Sequence, residues 1–189
     1  MKLKLIYIFA VAVLVFSCAK PPTAEMESAK EAVFRAENDE DAVIYAGGTL
    51  AKARDAVRRM QIEADDKHYD TAKTYAEEAI ATAERAIAEG KAGAARAKDE
   101  AASLLSDLGP ALEEAQRNVN GARYSLLDLD YDELYRDLYA ADDTLDKAQT
   151  DQAEGRYQDA LDKGSDVRSA VGDINLKISN AVAASSPKK

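Results

Sequence analysis

From Met26 to Ile178 the apolar residues of this chain return every third or fourth position, and many of them are alanine. Met26, Ala29, Val33 and Ala36 begin the series, Ala72, Ala76, Ala79, Ala83 and Ile87 continue it, and Val167, Val171, Ile174 and Ile178 close it. Steps of three and four return side chains to one face of a helix, whereas a strand needs strict alternation. The composition points the same way: Ala, Asp, Glu, Lys and Arg abound, aromatic residues make up 6%, and there are only 4 Pro in 189 residues. The chain is predicted to be all-α, an elongated set of antiparallel helical hairpins.

Turn signals divide this pattern into six expected helices. Lys20-Pro21-Pro22-Thr23 reads as an extended spacer, with Thr23 as cap of a first helix that Asn38-Asp39 stops. Asp39 or Asp41 starts the second, which runs to about Ala64 with Gly47-Gly48 in its interior. Two interior glycines cost about 2 kcal/mol relative to alanine. They are tolerable where a neighbouring backbone comes close, or they mark a kink. The third helix begins near Tyr69 and passes Gly90 and Gly93 to about Leu108, where Gly109-Pro110 breaks or bends it. Helices over 110–127, 131–153 and 157–183 follow, then a tail over 184–189.

The two halves read as copies. Met26, Ala29, Val33 and Ala36 match Leu112, Ala115, Val119 and Ala122 at an offset of 86 residues. Thr49-Leu50 matches Thr144-Leu145 at 95, and Tyr69 and Ala72 match Tyr157 and Ala160 at 88. The change from 95 to 88 is seven residues, about two helical turns, so a hairpin lengthens while its apolar face is kept. The expected organisation is two tandem three-helix units, over 24–108 and 109–183.

The first residues set the expected location. Met1-Lys2-Leu3-Lys4 is a short basic segment, and Leu5 to Phe16 is an apolar run too short for a membrane-spanning helix, which needs about 20 residues. Val15-Phe16-Ser17-Cys18 then resembles the signal box of bacterial lipoproteins, in the looser form found in spirochaetes. Cys18 is the only cysteine, so it has no internal disulfide partner and suits a lipid attachment point. The resemblance implies a leader over 1–17, and a mature N-terminus over 18–23 carrying acyl chains on Cys18. Each buried methylene contributes about 0.8 kcal/mol, so several chains hold firmly where one would not. Ala19 in place of Asp favours the outer membrane, on its periplasmic face. The net charge is -10; loss of Lys2 and Lys4 with the leader leaves 23 basic against 35 acidic residues, or -12. Such a surface repels phosphate backbones and anionic headgroups, so no nucleic-acid partner is expected.

The turn Gly155-Arg156-Tyr157-Gln158-Asp159-Ala160-Leu161, with Tyr69-Asp70-Thr71-Ala72-Lys73, resembles part of a tetratricopeptide repeat, without its full 34-residue pattern or closing Pro. Together with the signal box and the Ala/Glu-rich hairpins, residues 24 to 180 are similar to a family of helical lipoproteins of unknown function, frequent in treponemes and sometimes fused to an OmpA-type peptidoglycan-binding domain. That resemblance implies no catalytic residues. The expected role is a lipid-anchored cell-envelope scaffold that binds an envelope protein. The alternatives are a ligand-binding accessory lipoprotein of a transporter and a membrane-to-peptidoglycan spacer, the latter suggested by the similarity of Lys188-Lys189 to the terminal lysine of Braun-type lipoproteins.

Candidate sites are few. Tyr131, Tyr135 and Tyr139 recur at steps of four, with Tyr124 nearby. Tyrosine joins an apolar ring to a polar tip and suits half-wet contact surfaces, so these four are the candidate partner-binding residues; filling the gaps alanine leaves between helices is the competing reading. Asp128-Leu129-Asp130-Tyr131-Asp132 invites calcium, yet the sixth and twelfth loop positions are Glu133 and Tyr139 rather than Gly and Glu, so a helix cap is expected instead. His68, the only histidine, has no ligand partners and reads as a turn residue. No metal, cofactor or enzymatic activity is expected, and the oligomeric state is left open.

Overall fold

The computed structural model describes residues 20–185. Cys18, the expected leader and Lys188-Lys189 lie outside the described residues. Among the described residues there are six helices and no strand: α1 (Thr23–Glu37), α2 (Glu40–Tyr45), α3 (Gly47–Asp65), α4 (Tyr69–Tyr124), α5 (Tyr131–Ala153) and α6 (Tyr157–Ser185). The protein is all-helical. None of these helices is long and apolar enough to cross a membrane.

The count of six matches expectation, but the breaks fall elsewhere. Thr23 is the first residue of α1 and not its cap; Pro22 holds that position without a side-chain bond. Asp39 does cap, its Oδ1 accepting the Ala42 N–H at 2.9 Å. The expected second helix is interrupted at Ala46, whose backbone lies at φ −126° and ψ 25°. Gly47 and Gly48 therefore open α3 instead of lying inside a longer helix, and a Cβ on either would meet nothing within 4 Å. The close backbone approach is at Gly90, where a Cβ would stand 2.5 Å from the Ala42 nitrogen and 2.6 Å from the Asp41 carbonyl carbon. Short α2 lies with its backbone against α4, and only glycine leaves the room.

Gly109-Pro110 does not break the chain, because α4 runs through it from Tyr69 to Tyr124. Pro110 leaves the Ser106 carbonyl without its helical donor, and both residues are on the exposed side of the helix. Gly109 has no Cβ to meet the proline ring. The leucines on either side, Leu104, Leu105, Leu108 and Leu112, stay in one buried cluster and hold the helix together across the defect.

Contacts divide the chain between Lys91 and Ala92, not between Leu108 and Gly109. The reason is in the cores. In unit 1, residues 76 to 86 of α4 pack with α1 and α3. In unit 2, Ala101 through Val119 of the same helix pack with α5 and α6. Each unit is thus three helical segments with α4 serving both, and α2 is an addition to unit 1. Ten of the fourteen core residues of unit 1 are alanine, which lets helix axes come near the short end of the usual 8–10 Å. Unit 2 has five alanines among sixteen and fills its core with Leu134, Leu138, Leu145, Val167 and Ile174.

The matching turns at offset 88 repeat bond for bond. After α3, the Lys67 N–H donates to the Ala64 carbonyl at 3.1 Å and the His68 N–H to the Glu63 carbonyl at 2.8 Å. After α5, Gly155 donates to Gln152 at 3.1 Å and Arg156 to Asp151 at 2.8 Å. This pair of bonds closes a helix through a left-handed residue. That residue is Gly155 at φ 83° in unit 2 and Lys67 at φ 63° in unit 1.

Candidate functional site

The candidate tyrosines surround the start of α5. Asp130 fixes that start, its Oδ1 accepting the Glu133 N–H at 2.9 Å, so the acidic loop carries a cap as expected. Asp132 and Glu133 add negative charge where a helix N-terminus favours it. Among the described residues, no group of three or more His, Cys, Asp or Glu is placed to hold a metal ion.

The four tyrosines do not act as one stripe. Tyr131 packs against the unit 2 core, and its hydroxyl donates to the Leu127 carbonyl at 2.8 Å. Tyr135 does the same, donating to Asn120 Oδ1 at 2.7 Å, with the Arg123 guanidinium 6.0 Å from its ring centre. Tyr139 and Tyr124 are 79% and 90% exposed. Each step of four residues turns the side chain about 40° beyond a full circle, so a run that starts on the α4 seam leaves it two steps later. Two of the candidates are therefore packing residues with satisfied hydroxyls, and two present their rings to solvent.

Tyr139 stands at a groove of about 410 Å³ between α4 and α5. Leu112, Leu138 and Leu145 supply its apolar lining, and Glu113, Gln116 and Asp142 its polar one. Tyr124 lies beside a second exposed apolar residue, Leu126, at 89% exposure and φ 54°. Leu126 closes α4 through the same two-bond pattern as Gly155, since its N–H donates to the Arg123 carbonyl and that of Leu127 to the Ala122 carbonyl. Sequence reading looks for Gly at such a position and finds none here.

Charge is organised around the turns. The Asp151 side chain is buried at 8% exposure and accepts from Arg156 and Lys163. The Lys163 ammonium, and after it the Arg156 guanidinium, holds the Asp151 carboxyl below its ordinary range, and Asp151 in turn raises Lys163. At the matching place in unit 1, Glu63 Oε2 meets His68 Nδ1 at 2.9 Å. His68 is thus the turn residue expected from its isolation. An acid and a base five residues apart across each turn, Glu63 with His68 and Asp151 with Arg156, were visible at the offset of 88 that the tyrosines already gave. Lys177 of α6 ties to α5 through Glu133 at 2.9 Å and Asp137 at 3.0 Å, and both carboxylates, Glu133 foremost, raise its pKa.

In comparison with known families, residues 24–102 fit the family model described as a domain of unknown function, DUF4398. The match spans the helices of unit 1 and ends within α4, before α5 and α6 begin. Searches of curated proteins and of solved structures gave no significant match.

Proposed function

We propose that this protein is a lipid-anchored, non-catalytic scaffold of the bacterial cell envelope, and that unit 2 holds its partner protein. The anchor rests on the signal-box resemblance and the lone Cys18. The partner role rests on Tyr139, an aromatic side chain 79% exposed beside a groove lined by Leu112, Leu138 and Leu145. A ring so placed adds nothing to the core and is well suited to a half-apolar interface. The tetratricopeptide-like turns at Tyr69 and Tyr157 support the same reading, since such hairpins stack into protein-binding surfaces. The outer membrane, on its periplasmic face, is the location that Ala19 after the lipidated cysteine favours.

The test uses the full chain in its own envelope. Cys18→Ser is expected to move the protein from the membrane to the soluble fraction and to abolish labelling by a palmitate analogue. Tyr139→Ala with Tyr124→Ala is expected to weaken capture of a defined partner by about 30-fold, the loss of one interface anchor of about 2 kcal/mol. Capture undiminished by those two substitutions contradicts the tyrosine site, and labelling that survives Cys18→Ser contradicts the anchor.

A further inference from the structure

A second groove of unit 2, about 550 Å³, lies between α5 and α6. Ala140, Ala141, Val167 and Ala170 give it a floor of small apolar side chains, and Leu176 stands in its wall at 59% exposure. Its charged lining is three carboxylates, Asp137 on α5 and Asp166 and Asp173 on α6, and one ammonium, Lys177 on α6. Asp137 is engaged by Lys177. Asp166 and Asp173 make no ion pair or hydrogen bond among the described residues. Along α6 the lining runs from Asp166 to Asn180, which at 1.5 Å per residue is about 21 Å, or roughly four turns of a docked helix.

Unit 1 has the counterpart groove, about 420 Å³, between α3 and α4. Glu78, Thr82 and Arg85 stand there 88 residues before Asp166, Ala170 and Asp173. Lys52 and Arg59 line the α3 side, and Arg59 is held by Asp55 at 2.7 Å while lying 5.9 Å from the Tyr75 ring centre. One frame therefore carries two chemistries. The unit 1 groove is lined by three cations and two carboxylates, and the unit 2 groove by three carboxylates and one cation, each with alanines in its lining.

We propose that the α5–α6 groove receives a single amphipathic helix of a partner protein, with small apolar residues along its buried stripe and Lys or Arg on its flanks. An alanine floor lets a helix axis approach closely, and free carboxylates on α6 meet cations on the incoming helix. They repel acidic helices, anionic lipid and a second copy of this chain, which itself carries a net charge of -10. The site is separate from Tyr139, so it stands or falls independently of the tyrosine reading.

The experiment places a photo-reactive amino acid at Ala140 or Ala170 of the full, anchored chain, irradiates intact cells and sequences the cross-linked peptide. The expected product is a helical, net-positive segment of another protein. Asp166→Lys with Asp173→Lys is expected to cut its yield at least tenfold, while Tyr139→Ala leaves it unchanged. Both aspartates are exposed, and circular dichroism of the double variant confirms that the helices persist. Cross-links to a second copy, to lipid or to an acidic segment overturn the proposal, as do the absence of a cross-link and a yield indifferent to the charge reversal.

Discussion

Unit 1 and unit 2 each pack three helical segments around a core, and they fill those cores differently. Unit 1 packs alanine on alanine and gains little area per residue, since each alanine buries little apolar surface. It depends on close backbone approach, and the contact of Gly90 with Ala42 is the extreme case. Unit 2 buries leucines, and its Gly164 faces the side chain of Leu104 and not a backbone. The lesson is that side-chain size in the seams, and not helix count, decides which unit tolerates change. It also bears on function: the grooves of unit 2 are lined by leucines or by carboxylates, and the counterpart groove of unit 1 is lined by Lys52, Arg59 and Arg85.

The sharpest way to break this comparison is to exchange the two kinds of packing. Leu134, 1% exposed, is expected to cost about 2–5 kcal/mol when cut to alanine, read from urea unfolding. Ala79, fully buried, is expected to cost about 1–3 kcal/mol when enlarged to leucine, through overpacking. A neutral Ala79→Leu would mean that the alanine seams are loose.

The glycines give the next largest contrast. Gly90→Ala forces a Cβ to 2.5 Å from backbone and is expected to destabilise by about 1–3 kcal/mol. Gly164→Ala meets the Leu104 Cδ2 at 2.7 Å, the end of a side chain that can move aside. Its cost is offset by a helix-propensity gain of up to about 1 kcal/mol, so it is expected to be nearly neutral. Equal effects in thermal unfolding would remove the distinction between the units.

The paired turns sharpen the comparison further. Lys67 holds a left-handed backbone that suits glycine, so Lys67→Gly is expected to stabilise by about 0.5–1 kcal/mol, and Gly155→Ala to destabilise by about 1 kcal/mol. The smallest effect is one of acidity. Asp151 has a lowered folded pKa, so its contribution is present above the unfolded value of about 4 and is lost as pH falls through the folded one. Asp151→Asn is expected to flatten the acid limb of a stability–pH profile and leave the neutral region lower; a profile parallel to that of the parent would refute this.

Much of the frame could be read from the residues. Tyr69, Tyr131 and Tyr157 do begin helices, Asp130 and Asp39 do cap, and Gly155 does turn the chain, because these depend on bonds within a few residues. What failed depended on neighbours far along the chain. Pro110 is a local breaker that the surrounding leucine cluster overrides. Gly90 looks like an ordinary helix glycine until α2 is laid against it. The drift among Tyr131, Tyr135 and Tyr139 is in the spacing along α5, but which of them lies on the α4 seam is set by packing. The two grooves of unit 2 are products of packing; only the acidic line of Asp166 and Asp173 was open to view.

The claim on which the rest depends is that partners engage unit 2 and leave unit 1 largely bare. Residue-level cross-linking in intact cells, with every link to another protein mapped along the chain, tests it directly. Those links are expected to gather on α5, α6 and the α4 residues after Ala92. Links gathered on α1, α3 and the α4 residues before Lys91, or spread evenly over both units, would contradict it.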